Sequence, residues 1–244
     1  MHDQLRQSHL IGLQDALVKT ETVEQFLREV ATLAAPIADD GLSCAMALPS
    51  QGRRVAAAAC TGQAAAELDD LQAVEGDGPG LRAARRGEMV RIDDVGHHDR
   101  WRRFARRALA AGIRSSLSVP LTAEGRPAGA LSLYARRPHA FGPEATRNAQ
   151  WFASQASGAL TLALRMASCS DLNEQLRSSM ASRAIIDQAL GVIMVTDRCP
   201  HDRALAKLKR ASQNTNVKIR DLAARIVTDA SGQAPQPPRP FEEE

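Results

Sequence analysis

Aromatic residues are scarce in this chain: two Trp, one Tyr and five Phe among 244 residues. Its core must therefore be built mainly from Ala, Leu, Val and Ile, which a hydrophobic content of 44% supplies. No uninterrupted apolar run reaches the roughly 18 residues needed to span a bilayer, so no membrane association is expected. The opening stretch, MHDQLRQSHL, lacks the charged-then-apolar order of a signal peptide, and a cytoplasmic location is expected. Cys44, Cys60, Cys169 and Cys199 lie far apart with no C-x-x-C pair. That distribution fits reduced thiols better than a disulfide framework or a zinc site. No nucleophile, base and orienting group can be assembled from the sequence, so neither an enzyme nor a cofactor is expected.

The net charge of +3 is uninformative, but its distribution is not. Residues 183–227 hold nine Lys/Arg and four Asp, a net of +5, which leaves −2 for the rest of the chain. A small basic module is attached to a larger, slightly acidic one.

Periodicity organises the chain further. The first 35 residues read as helix, with Leu10, Leu13, Leu17, Val23, Phe26, Leu27 and Val30 setting the spacing and Pro36 and the 39–41 DDG stopping it. LSCAMAL (42–48) and RVAAAAC (54–60) read as strands separated by the turn residues PSQG. GDGPG lacks both phosphate-loop spacings and reads as a turn into a short helix that Gly87 ends, before the strand EMVRI. From Arg100 to Ala111 five arginines interleave with Trp101 and Phe104, read as an amphipathic helix with solvated arginines. His97-His98 reads as loop histidines, with no metal site. SSLSVPL (115–121) and AGALSLYA (128–135) are the clearest strands, joined by the loop TAEGRP. A long helix is predicted from Pro143 to about residue 195, keeping a stripe of Leu160, Leu164, Leu172, Leu176 and Met180. Two helices follow, the first with Pro200 in its first turn and the second with Asn216 as its expected N-cap. The Pro-rich, then acidic end reads as a disordered tail. This order predicts an α+β domain followed by an all-helical one.

Two families are recognisable in these residues. EGDGPGLRAARRGEMVRIDDV, DRWRRF, AGIRSSLSVPL, GALSLYARRPHAF and the helix from Pro143 resemble a GAF domain, a small-molecule sensor fold of the kind common in actinobacterial regulators. Arg102 stands where those relatives often have Pro, and Gly80 where many have Cys. Arg183, Ile186, Gln188, Ala189, Gly191, Ala204, Leu208, Ser212, Asn216, Lys218, Arg220 and Ala223 resemble the motif of an ANTAR domain. That is the RNA-binding three-helix module of transcription antitermination regulators. Leu190 replaces its usual lysine and Leu205 a usual aromatic. The resemblance implies a GAF-like antiparallel sheet with flanking helices, a long connecting helix and a C-terminal three-helix ANTAR-like bundle. The segments expected are an N-terminal helix (1–21), the sensor (22–168), a helical connector (169–182), the RNA-binding domain (183–230) and the tail (231–244). Some GAF domains reduce free methionine sulfoxide with a set of cysteines; Cys44 and Cys60 do not reproduce that set.

Within the basic module, Arg203, Lys207 and Arg210 fall on a narrow arc, and Lys218 and Arg225 line up on the last helix. With Arg183 and Arg220 of the motif, these seven are the expected RNA contacts, since Lys and Arg neutralise phosphates. No Phe, Tyr or Trp lies between Arg183 and Ala230, so arginine and His201 are left to stack on bases. Ala184, Ala189, Gly191, Ala204, Leu208 and Ala223 are expected at helix contacts. Gly191 is costly in a helix interior, and its face, shared with Ala184 and Val195, is expected to receive another helix. The sensor's inner face reads as small and apolar, leaving a small-molecule ligand and an empty dimerisation scaffold equally open. The resemblance implies a homodimer that binds leader-RNA hairpins. The rivals are a homodimeric adaptor whose helical tail binds protein, and a DNA-binding repressor.

Overall fold

Where the spacing predicts one N-terminal helix, the chain forms two. Thr22 interrupts it: its hydroxyl accepts the Gln25 backbone N–H (3.2 Å), while the Gln25 side-chain oxygen accepts the Thr22 N–H (3.3 Å). This reciprocal capping box satisfies two otherwise orphaned donors and starts a new helix. The computed structural model describes residues 2–37, 42–47 and 57–235. It places α1 at His2–Lys19 and α2 at Val23–Ala34, with Pro36 inside a closing 3-10 turn. The DDG and PSQG segments and the end of the acidic tail lie outside the described residues.

Five antiparallel strands follow in the order β2-β1-β5-β4-β3: β1 Leu42–Ala47, β2 Ala57–Cys60, β3 Val90–Ile92, β4 Ser115–Ala123 and β5 Arg126–Ala135. The predicted TAEGRP loop is shorter than expected, because β4 and β5 run on to a two-residue turn. Glu124 (φ 52°) and Gly125 (φ 72°) both adopt left-handed backbone there, the geometry that matches hairpin twist. α3 (Gln63–Glu75), α4 (Pro79–Arg86) and α5 (Arg102–Ala110) lie between the strands in sequence. α3 has no counterpart in the sequence reading, since its apolar residues form no clear stripe.

Strand alternation assigns the two sheet faces. Leu117, Val119 and Leu121 of β4 and Leu131 and Leu133 of β5 join Phe26, Leu27 and Val30 of α2 and Phe152 of the long helix α6 (Pro143–Asp197) in one buried cluster. Burying each large side chain contributes roughly 1.5–3 kcal/mol. His9 of α1 closes this cluster, edge-on to Phe152 at 4.9 Å and stacked on Trp151, and its burial lowers the imidazole pKa. The alternate residues face the other way: Tyr134 joins Cys44, Leu68, Phe104 and Ile113 in a second cluster.

α6 spans Pro143–Asp197, followed by α7 (His201–Thr215) and α8 (Ile219–Ser231). The chain divides into two compact units, Met1–Ser168 and Cys169–Glu244. The first contains both clusters just described. The second has its own core of Ile185, Ala189, Leu190, Ala204, Leu208, Ala223 and Val227. Residues 171–180 of α6 are exposed throughout, including Leu172, Leu176 and Met180. Asn216 does not cap α8 as expected. It ends α7 in the left-handed conformation (φ 52°), and Lys218 takes the N-cap position of α8.

Candidate nucleic-acid interface

In the C-terminal unit, small residues let three helices approach. Ala189, Ala204, Leu208 and Ala223 are buried at the helix contacts, and Ala184 is half-buried. Ser212 and Asn216, both in the recognised motif, shape the turn between α7 and α8. The Ser212 hydroxyl donates to the Val217 carbonyl (2.6 Å), and the Val217 N–H donates to the Ser212 carbonyl (3.2 Å). Those motif positions therefore serve the fold. Leu190 and Leu205 do the same, one fully buried and the other packed against the core.

Gly191 departs from its expected place at a helix contact. A Cβ built there meets nothing within 4 Å, and Val195 beside it is 81% exposed. Among the described residues this face is open, so none of their contacts requires glycine.

The seven cations singled out from the sequence are all exposed: Arg183, Arg203, Lys207, Arg210, Lys218, Arg220 and Arg225. Lys207 is held by Asp197 at 2.8 Å, and that hydrogen bond raises its pKa. At such an exposed pair the mutual stabilisation is small, so a phosphate can compete for the ammonium. Arg183 is drawn away from the Arg203–Lys207–Arg210 arc into a different neighbourhood. It lines a groove of about 670 Å³ together with Asp187, Leu190, His201, Leu205 and Lys209. Lys209 was missed in the sequence because it falls outside the basic arc of α7. His201, Leu205 and Lys209 are four apart in turn, a second stripe of that helix. Ile186 and Ile219 add to its apolar lining, so the groove combines apolar side chains with Arg183, Lys209 and the carboxylate of Asp187.

The interior of the first unit is more polar than the sequence suggests. Ser116, Ser118, Ser132 and Tyr134 are fully buried on the sheet face opposite the leucines, with Asp69 and Gln72 of α3 also buried. Ser118 and Ser132 hydrogen-bond to each other (2.9 Å), and the Gly80 N–H donates to Gln72 Oε1 (2.7 Å). Gly78 permits this approach, since a Cβ there would come within 2.3 Å of the Gln72 side chain. Among the described residues, Asp69 Oδ1 and Ser116 Oγ find no hydrogen-bond partner. Burial, and then the neighbouring Asp70 charge, push the Asp69 carboxyl up to about 6. Burial and the Asp69 charge raise the Tyr134 hydroxyl well above its ordinary value.

The expectation of four reduced thiols fails for one pair. Cys44 and Cys60 stand opposite each other in the β1–β2 register and form a disulfide. Sixteen residues separate them, so only the strand pairing brings them together. Cys169 and Cys199 are free. The arginine-rich α5 is occupied structurally: Arg103 pairs with Glu75 and Arg107 with Glu67, both on α3, while Arg100 stacks over Trp101. His97 Nδ1 lies 2.8 Å from Asp94 Oδ2, in a turn where Asp94 also accepts the Gly96 N–H.

Comparison with known proteins places these units. A GAF domain family model matches residues 20–161, and an ANTAR domain model matches residues 174–227. No curated protein matches the chain. Solved structures are similar to part of the chain. The N-acylhomoserine lactone dependent LuxR family factor CepR2 from Burkholderia cenocepacia is 18% identical, covering 66% of this chain and 98% of its own, with a TM-score of 0.49. The free methionine-R-sulfoxide reductase from Neisseria meningitidis is 15% identical, covering 64% and 88%, with a TM-score of 0.45. The GAF domain of an Acinetobacter phosphoenolpyruvate-protein phosphotransferase is 15% identical, covering 66% and 96%, with a TM-score of 0.43. The chain belongs to the GAF domain family and carries, after its signal-sensing type of domain, an ANTAR domain of the RNA-binding antiterminator type.

Proposed function

We propose that this is a cytoplasmic, non-enzymatic regulator that binds leader-RNA hairpins through its C-terminal unit and acts by transcription antitermination. The observation that carries this reading is the set of seven exposed cations on a unit whose motif is that of an RNA-binding domain. Among the described residues no helix is long and apolar enough to cross a membrane. In this reading the GAF unit receives a signal, and two chains pair along α6 through the exposed Leu172, Leu176 and Met180. The signal shifts the population of α6 packing states, and with it the spacing of two RNA-binding units. Bound hairpins then prevent a terminator from forming.

A second reading, a homodimeric adaptor whose helical unit binds protein, is favoured by the same exposed apolar residues and by Val195. Crosslinking in cells followed by sequencing of the captured nucleic acid separates the two. Paired-hairpin leader RNA is the expected result; duplex DNA would indicate a repressor, and no nucleic acid an adaptor. With purified protein, Lys218→Ala with Arg220→Ala should abolish hairpin binding while leaving the circular dichroism spectrum unchanged. Affinity should also fall roughly a thousandfold or more between about 50 and 200 mM salt if six or more phosphates are contacted. A flat salt profile would defeat the phosphate-contact model.

A further inference from the structure

The Cys44–Cys60 disulfide lies beside a carboxylate that the rest of the fold leaves unused. The two sulfurs and a carboxylate oxygen of Asp69 all lie within 4.8 Å of one another. Asp69 is only 9% exposed, and its Oδ1 has no hydrogen-bond partner among the described residues. A buried polar atom without a partner costs about 1–3 kcal/mol, so its retention calls for a role. The two cysteines also differ in access: Cys44 is fully buried, whereas Cys60, the last residue of the edge strand β2, is half-buried. In a reducing compartment a protein disulfide is ordinarily transient, and is catalytic or redox-sensing.

We propose that Cys44, Cys60 and Asp69 form a reversible dithiol–disulfide centre, with Cys60 the sulfur attacked, Cys44 the leaving sulfur and Asp69 its proton donor. The co-reactant is a small dithiol or a dithiol protein. Its thiolate attacks Cys60 Sγ, the S–S bond breaks, and the electron pair passes to Cys44 Sγ. The Asp69 carboxyl gives its proton to that sulfur and becomes a carboxylate. The second thiol of the reductant then attacks the mixed disulfide, releases Cys60 as a thiol after proton uptake, and leaves as its own disulfide. The pair gains two electrons and two protons, the dithiol loses the same, and Asp69 regains its proton from the solvent that took up the dithiol's.

Protonation of the leaving sulfur matters because a thiolate stranded in an apolar cluster is unfavourable. The neighbours suit a proton-holding Asp69: Asp70 and Tyr134 are the acidic groups acting with it, and no cation pairs with it. Use of this centre as the regulator's input rests on the reading of the preceding subsection, whereas the exchange chemistry does not.

The test uses the full chain with Cys169→Ser and Cys199→Ser, so that only this pair reacts. Dithiothreitol should open the disulfide, and glutathione disulfide close it, without denaturant, as read by alkylation and intact mass. Asp69→Asn should slow both opening and closing by roughly a hundredfold, the lower end of a positioned acid–base contribution. Adding Cys44→Ser should leave Cys60 able to attack glutathione disulfide and hold one glutathione as a stable mixed disulfide while the other leaves as a thiol, whereas Cys60→Ser should leave Cys44 unreactive. The proposal is overturned if the pair opens only in unfolding conditions or if Asp69→Asn leaves both rates unchanged. It is equally overturned if Cys44 takes the adduct, or if the reduced chain holds one zinc ion tightly enough to block closure, which would mark a metal centre. If the pair cycles as expected but the chain binds no RNA, only the regulator reading fails.

Discussion

Asp69 sets its own pH dependence for the first unit. Its carboxyl titrates near 6 in the fold, against about 3.9 in an unfolded chain. The folded state therefore keeps the proton longer, and stability declines as pH rises from about 4 to about 6, with the full penalty present above that window. Asp69→Asn removes the charge while keeping the shape. At pH 7 it should stabilise the first unit by up to roughly 2–3 kcal/mol. At pH 4, where the native carboxyl is already protonated, the gain should nearly vanish. Urea unfolding at the two pH values measures the difference; an equal effect at both would mean that desolvation does not govern this group.

Among the elements, α6 poses the clearest question, because its Gly191 sits on an open face. Alanine there meets no atom, so Gly191→Ala should raise the stability of the helical unit by roughly 0.5–1 kcal/mol through helix propensity. Gly191→Leu should instead lower self-association, seen by sedimentation, before it lowers RNA affinity. Loss of RNA binding by a variant that remains dimeric would mean that the glycine touches nucleic acid. The helices of this unit were legible in sequence because Ile186, Ala189, Leu190, Ala204 and Leu208 repeat at helical spacing. β4 and β5 were legible because Leu117, Val119, Leu131 and Leu133 alternate. The capping box at Thr22 was visible but overridden by a stripe continuing from Leu17 to Val23. α3 was missed because Leu68, Asp69 and Gln72 share its buried side, and polar residues there erase the stripe. The serine-lined sheet face and the Cys44–Cys60 pair were illegible for a different reason. Each depends on strand register between residues far apart in sequence, which local pattern does not encode.

The whole molecule is built around separate cores, so damage to one should stay local. Leu208 is fully buried in the helical unit, and Leu208→Ala should cost that unit about 2–5 kcal/mol. Calorimetry should show the transition of the helical unit moving to lower temperature while that of the first unit stays in place. Displacement of both together would mean that α6 joins them into one cooperative structure.

The scarcity of aromatics has an experimental corollary. Trp101, Trp151 and Tyr134 all belong to the first unit, and none of these chromophores occurs from Arg183 to Ala230. Intrinsic fluorescence therefore watches the sensor alone, while the RNA-binding helices emit nothing. The helical unit itself offers bound RNA no tryptophan or tyrosine to quench. A change in tryptophan emission on adding RNA hairpins would therefore report an event at the first unit, without any label.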